Sequence, residues 1–238
     1  MTSVSFIVPA HNEEQLLGRT LRAIGQAARA LDGPVEVIVV DDASTDRTAA
    51  IAEEHGARVV SVKNRQIAAT RNAGARQASG EMLVFVDADT IVGSDAVRAA
   101  VAAMRGGAAG GGCPFRFDGR LPLHGRVLAA VAAVVYRAAR LASGCFLFCT
   151  RDAFRAVGGF DETMFGAEEL FMSRALRHQG RFVVLRQSVI TSGRKLRAYS
   201  GWELLRMMLR MAVAGRKGMR RRLDIWYGER RADPESKS

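Results

Sequence analysis

Met82-Leu83-Val84-Phe85-Val86-Asp87-Ala88-Asp89 is the stretch that decides the fold. Its apolar half reads as a buried strand, of the kind found in parallel sheets covered by helices. The strand ends on two carboxylates separated by one residue. Ligands of open α/β sheets gather at the carboxyl ends of the strands. Paired carboxylates there suit a hard, oxygen-preferring cation, which in turn suits a diphosphate.

The residues upstream repeat the pattern. Ser3 to Val8 is a short β run ending at Pro9. Asn12, with Gln15 three residues on, is expected to cap a helix reaching about Leu31. After the Asp32-Gly33-Pro34 turn, Val35 to Val40 is a strand ending in Asp41-Asp42. Ser44 or Thr45 is expected to cap the next helix, which His55-Gly56 stops. Arg58 to Val62 is a third strand, and a helix over Ile67 to Ala78 leads into the decisive one. The β-α-β-α-β-α-β alternation predicts a doubly wound, mostly parallel sheet flanked by helices. Pro9, Asp41 and Asp87 all fall at its strand ends.

Downstream the pattern loosens. Ser94 is expected to cap a helix to Met104, and Gly106 to Gly112 reads as a loose loop. Arg126 to Leu141 is a helix with few polar residues. Cys145 to Thr150, Arg181 to Leu185 and Val189 to Thr191 are β-like, and Glu168 to His178 is helical. No internal repeat is present.

The 238 residues are 48% hydrophobic, enough for one large α/β domain with a real core. Cys113, Cys145 and Cys149 lack metal-ligand spacing and read as small core residues. Their odd number, with no secretory leader, points to a reducing, cytoplasmic location. The longest apolar run, Val127 to Tyr136, is closed off by Arg126 and Arg137, far short of the roughly 20 residues of a spanning helix. The net charge of +11 is uneven: ten basic residues and one acid, Glu203, lie between Arg194 and Arg222.

In order, Val8-Pro9-Ala10-His11-Asn12-Glu13-Glu14, then Val39-Val40-Asp41-Asp42-Ala43-Ser44-Thr45-Asp46, then Arg71-Asn72-Ala73-Gly74, then Val86-Asp87-Ala88-Asp89 resemble the motifs of family-2 glycosyltransferases. Gly158-Gly159-Phe160-Asp161-Glu162 and Gly166-Ala167-Glu168-Glu169-Leu170 resemble that family's acceptor-side motifs. Each motif alone is weak, but their order and spacing are specific. The resemblance covers about residues 3–195 and implies the GT-A fold, with residues 1–92 as the nucleotide-sugar half and 93–195 as the acceptor half.

The resemblance also implies roles. Pro9, Ala10 and Glu13 surround the base and ribose of a nucleoside-diphosphate sugar. Asp41 or Asp42 accepts a hydrogen bond from the base, a strong bond for an ionised carboxylate. Asp89 coordinates Mg²⁺ or Mn²⁺, and Asp87, across Ala88, contacts the ribose or shares the cation. The ion neutralises charge on the departing diphosphate. Arg71 with Asn72, and Arg65, stand near the phosphates, and Arg194 is brought over the diphosphate from after the last strand. Gln66 or Ile67 stands where the family usually has Gly. Inverting transfer needs a carboxylate to take the acceptor's proton. Glu169 has that role, with Glu168 as the alternative base or its partner. The acceptor is a hydroxyl on a sugar, lipid or small molecule.

Ser200-Gly201-Trp202-Glu203 is a capping-box pattern opening a basic amphipathic helix over residues 196–232, with a disordered tail at 233–238. Such a segment suits either an anionic membrane surface, with the protein peripheral on its cytoplasmic face, or packing on the catalytic domain. Nucleic acid is disfavoured, because no aromatic-interleaved motif accompanies the charge. Nothing in the sequence marks an oligomeric state. A sugar-1-phosphate nucleotidyltransferase would carry a Gly-rich, basic loop where Pro9 to Glu13 stands. A non-catalytic sugar-nucleotide binder would not need both Asp89 and the Glu168-Glu169 pair.

Overall fold

The structure, a computed structural model, describes residues 2–138, 141–206 and 209. The chain alternates strand and helix: β1 (Val4–Ala10), α1 (Leu17–Ala28), β2 (Val35–Asp42), α2 (Thr48–Glu54), β3 (Arg58–Val62), α3 (Ile67–Gln77) and β4 (Met82–Val86). It continues through β5 (Thr90–Ile91), α4 (Ser94–Arg105), β6 (Ala108–Gly112), β7 (Phe115–Phe117), α5 (Leu123–Ala138) and β8 (Phe146–Thr150). The last described elements are α6 (Arg151–Ala156), α7 (Glu168–Gln179), β9 (Arg181–Val184), β10 (Val189–Thr191) and α8 (Arg194–Ala198).

Among the described residues a seven-stranded sheet runs in the order β3-β2-β1-β4-β8-β6-β9. The first four strands are parallel, as the alternation predicts, and β8 is antiparallel to β4 and β6. Strand pleat divides the core between two faces: Phe6, Val8 and Val84 point to one, and Ile7, Leu83 and Phe85 to the other. Helix α1 buries Leu17, Leu21 and Ile24 at helical spacing against the first face. Each such side chain, fully buried, contributes about 1.5–3 kcal/mol. All three cysteines are buried and free. A second sheet, β5-β10-β7, draws Thr191 to Thr90 (Oγ1 to Oγ1, 3.1 Å).

Three expected helix caps are corrected. Helix α1 starts at Leu17, not after Asn12. Asn12 instead takes a left-handed φ of 50°, and its side-chain oxygen accepts from the Thr45 N–H at 2.8 Å. The Asn12 N–H donates to Ser44 Oγ, so both expected caps tie the loop after β1 to the loop after β2. Helix α2 starts at Thr48, where Asp46 Oδ1 accepts the Thr48 N–H. Short polar side chains bond whichever backbone donor is orphaned nearby, and here that donor lies in the neighbouring loop. Likewise Ser94 is the first residue of α4 rather than its cap, which is Gly93.

The stretch expected as a loose loop holds the largest correction. Residues Ala108–Gly112 form β6, buried throughout, between β8 and β9. A Cβ at Gly111 would overlap the Val183 carbonyl and the Phe148 ring, and one at Gly112 would overlap Ala142. The glycines are there because neighbouring backbone and rings fill the space of a side chain.

The Ser200–Glu203 capping box forms as expected: the Ser200 N–H donates to Glu203 Oε2 at 2.8 Å and the Glu203 N–H to Ser200 Oγ at 3.3 Å. Residues 201–206 are helical. The rest of the basic extension and the tail, apart from Leu209, lie outside the described residues. No helix among the described residues is long and apolar enough to cross a membrane.

Candidate active site

A cavity of about 290 Å³ opens at the carboxyl ends of β1 and β4. Pro9, Ala10 and Glu13 line it from the first motif, Asp42 from the second, and Asp87, Ala88 and Asp89 from the fourth. Glu168 and Glu169 at the start of α7 face in as well, with Arg71, Thr191 and Arg194. The acidic turn is pinned from several sides. Thr20 of α1 donates to the Ala88 carbonyl at 2.9 Å, and the Asp87 N–H donates to the Cys145 carbonyl at 3.3 Å.

Arg71 is the hub. It is 2% exposed, and its guanidinium donates to Asp87 Oδ1 (2.8 Å), Glu168 Oε1 (2.7 Å) and the Gly144 carbonyl (3.0 Å). The Phe160 ring lies 5.3 Å from it. The residue expected near the phosphates is thus a buried cation that balances acids from both ends of the site. Paired in this way, it is held more firmly protonated than an ordinary arginine. Burial raises the pKa of Asp87, with Arg71 opposing and Asp89 adding to the rise. Arg194, from α8, reaches Glu13 Oε1 at 2.5 Å and Asp89 Oδ2 at 3.2 Å.

The two glutamates differ. Glu168 is committed to Arg71. Glu169 accepts from the Tyr136 hydroxyl at 3.1 Å. Burial, then the neighbouring charge of Glu168, push its pKa up to about 7 against the pull of Arg71. Both acids follow Ala167, a non-glycine residue at a left-handed φ of 59°. Backbone strain of this kind gathers at functional sites.

Two expected members stand outside the cavity lining, Asp41 and Asn72. Asp41 Oδ1 accepts from the Ser44 N–H at 3.3 Å. Asn72 donates to the Phe160 carbonyl and accepts the Phe160 N–H, each at 2.9 Å, which clamps the Gly158–Glu162 loop. Asp42, on the wall, accepts from the Arg65 and Gln66 N–H groups and from Thr70 Oγ1. Gln66 caps α3 through the Ala69 N–H and ties the start of that helix to the Met164 carbonyl.

Sequence reasoning missed Thr20, Tyr136 and Gly144. Thr20 left a trace, a polar residue on the apolar face of α1. Tyr136 and Gly144 left none, since both matter through contacts distant in sequence.

Among the described residues no group of three or more His, Cys, Asp or Glu side chains is arranged to hold a metal by itself. Asp87 and Asp89 supply carboxylate oxygens, the donor chemistry for Mg²⁺ or Mn²⁺. Ions of this type keep water and share substrate phosphates, so a two-carboxylate set fits.

The family model for Glycosyl transferase family 2 matches residues 5–156. A validoxylamine A glucosyltransferase from Streptomyces hygroscopicus subsp. jinggangensis is 29% identical over 220 residues, covering 74% of this chain and 52% of that protein. An undecaprenyl-phosphate 4-deoxy-4-formamido-L-arabinose transferase from Pseudomonas paraeruginosa is 39% identical over 93 residues, 36% of this chain and 27% of that protein. Among solved structures, the mannosyltransferase PcManGT from Pyrobaculum calidifontis, in complex with GDP-Man and Mn²⁺, matches with a TM-score of 0.68 at 24% identity. That match covers 86% of this chain and 60% of the other, and it is a likeness of fold. The chain spans about half the length of the validoxylamine A glucosyltransferases it matches.

Proposed function

The chain belongs to glycosyltransferase family 2 and has its GT-A fold, and from that premise we propose that it is an inverting glycosyltransferase using a nucleoside-diphosphate sugar. One observation carries this reading. The acids ending β4 face Glu169 across a single cavity that the first motif also lines.

In this reading residues 1–92 hold the donor and 93–195 the acceptor. Pro9, Ala10 and Glu13 bind the base and ribose. The base contact is assigned to Asp42, the second-motif acid on the cavity wall, whose carboxylate has about four acceptor sites in all. Asp41 and Asn72 act at one remove, through the loops they tie. Asp89, with Asp87, holds Mg²⁺ or Mn²⁺, which supplies positive charge to the departing diphosphate. The Mn²⁺ and GDP-Man bound to the Pyrobaculum enzyme support this cation and donor class. Arg194 adds a guanidinium on the same side and changes partner from Asp89 to phosphate as the donor arrives.

The chemistry is one displacement. The acceptor hydroxyl oxygen attacks the anomeric carbon, and the bond from that carbon to the diphosphate oxygen breaks, its electron pair leaving with the diphosphate. Glu169 takes the hydroxyl proton. The choice of Glu169 over Glu168 rests on their partners: Glu168 is held by a buried arginine, whereas the pKa of Glu169 lies near neutrality. A base poised there is ionised enough to act and basic enough to accept.

For the acceptor, a lipid-linked hydroxyl has two supports. The Pseudomonas relative is named for undecaprenyl phosphate. Helix α5 leaves Leu123, Val127, Val131 and Val134 exposed at helical spacing, and the 201–206 helix, whose Gly201 abuts His124, exposes Trp202. Together with the basic extension, these apolar faces suit an anionic membrane surface.

Release of nucleoside diphosphate from UDP- and GDP-sugars with Mn²⁺ tests the assignment. Asp89→Ala and Glu169→Gln are each expected to lower turnover at least about a hundredfold with the fold intact by circular dichroism. Full turnover in both variants defeats the mechanism.

A further inference from the structure

We propose that Tyr136, on a helix that carries no family motif, is the positioning residue of the base: its hydroxyl holds the Glu169 carboxylate and dictates which oxygen meets the acceptor. The proposal rests on the reading of Glu169 as proton acceptor.

The geometry is specific. Tyr136 lies in the last turn of α5, with its hydroxyl 3.1 Å from Glu169 Oε1. Its ring meets Phe115 edge-on, centroids 6.0 Å apart, and Phe115 meets Phe117 edge-on at 5.3 Å. The Tyr136 carbonyl accepts the Leu141 N–H at 2.9 Å. Ring and backbone are thus both fixed, and the hydroxyl cannot swing away without unpacking that aromatic wall.

The other groups facing Glu169 cannot do this work. Glu168 repels it. Arg71 attracts it, but the hydrogen bonds its guanidinium makes go to Glu168, Asp87 and the Gly144 carbonyl, and its buried Nε–H meets no acceptor among the described residues. Among the described residues, Tyr136 is the side chain that donates a hydrogen bond to Glu169. Burial beside Glu169 drives the ionisation of the tyrosine itself far above its ordinary range, so it stays a donor at any working pH. The Glu169 backbone N–H also bonds the carboxylate, and with Oε1 held by Tyr136 the incoming proton is assigned to Oε2. That oxygen lies beside Gly144, where a Cβ would stand 3.8 Å from it. A donated hydrogen bond also favours the charged carboxylate, the form a base needs.

Tyr136→Phe removes the hydroxyl and keeps the ring. In the full chain labelled with ¹³C at glutamate carboxyls, the resonance missing from Glu169→Gln identifies Glu169, and its titration is followed from pH 5 to 9. In Tyr136→Phe its midpoint is expected to rise by about half a unit or more, with an unchanged melting temperature. An unmoved or lowered midpoint overturns the proposal and leaves Glu169 free to be the base. If instead Glu169→Gln releases nucleoside diphosphate as fast as the parent chain, the base reading falls, whatever Tyr136→Phe shows.

Discussion

Glu169 shows how its surroundings set one carboxyl's hold on a proton. Little of that was legible from residues alone. The Glu168-Glu169 pair stood out as adjacent acids opening a helix, yet the difference between them comes from Arg71, which is 97 residues from Glu168 in the chain. Two consequences follow for pH. Transfer is expected to fall as pH drops below about 7, as Glu169 takes up a proton, and kcat measured from pH 5.5 to 9 checks this. Stability runs the opposite way. The folded carboxyl binds its proton more tightly than the unfolded one, so the folded state holds more protons between the ordinary glutamate pKa of 4.5 and about 7. Its contribution is fully present below that window and is lost as pH rises through it. Denaturant melts at several pH values should show this decline in the parent chain and a flatter profile in Glu169→Gln.

At the scale of elements, the helices and strands of the first half were readable because each apolar run ends in polar residues with a turn signal behind them. Strand β6 was not, for a physical reason. Pattern reading needs side chains, and Gly110, Gly111 and Gly112 have none, so a fully buried strand has the composition of a slack loop. The caps expected at Asn12 and Ser44 failed differently: both residues are hydrogen-bonded, but across a loop pair instead of along the chain. The buried glycines carry a sharp expectation. Gly111→Ala places a methyl into the Val183 carbonyl and the Phe148 ring, neither of which can retreat within a packed sheet. A loss of about 3 kcal/mol or more, at the upper end for overpacking, is expected in urea denaturation. Gly107→Ala, where no atom lies within 4 Å of the added carbon, should cost less, its penalty set by the left-handed backbone alone.

For the molecule as a whole, the basic excess of the sequence and the exposed apolar side chains raise one question of surface. The basic excess of the sequence is concentrated after Arg194, and the exposed valines of α5 begin beside the helix that carries Trp202. Sedimentation with phosphatidylglycerol vesicles tests whether this is a membrane face. Pelleting is expected at low ionic strength and should weaken as salt shortens the Debye length below about 10 Å. The double variant Val131→Glu, Val134→Glu should stay in solution, and a parent chain that never pellets rules the surface out.

The Arg71 hub spans the boundary proposed between donor and acceptor halves. Were the chain severed after residue 92, Arg71 would keep Asp87 but be stranded without Glu168 and the Gly144 carbonyl. Strand β4 would become a bare, hydrogen-bond-hungry margin where β8 had been. A chain cut there is expected to yield no stable piece, and calorimetry of the intact chain should trace a single cooperative peak.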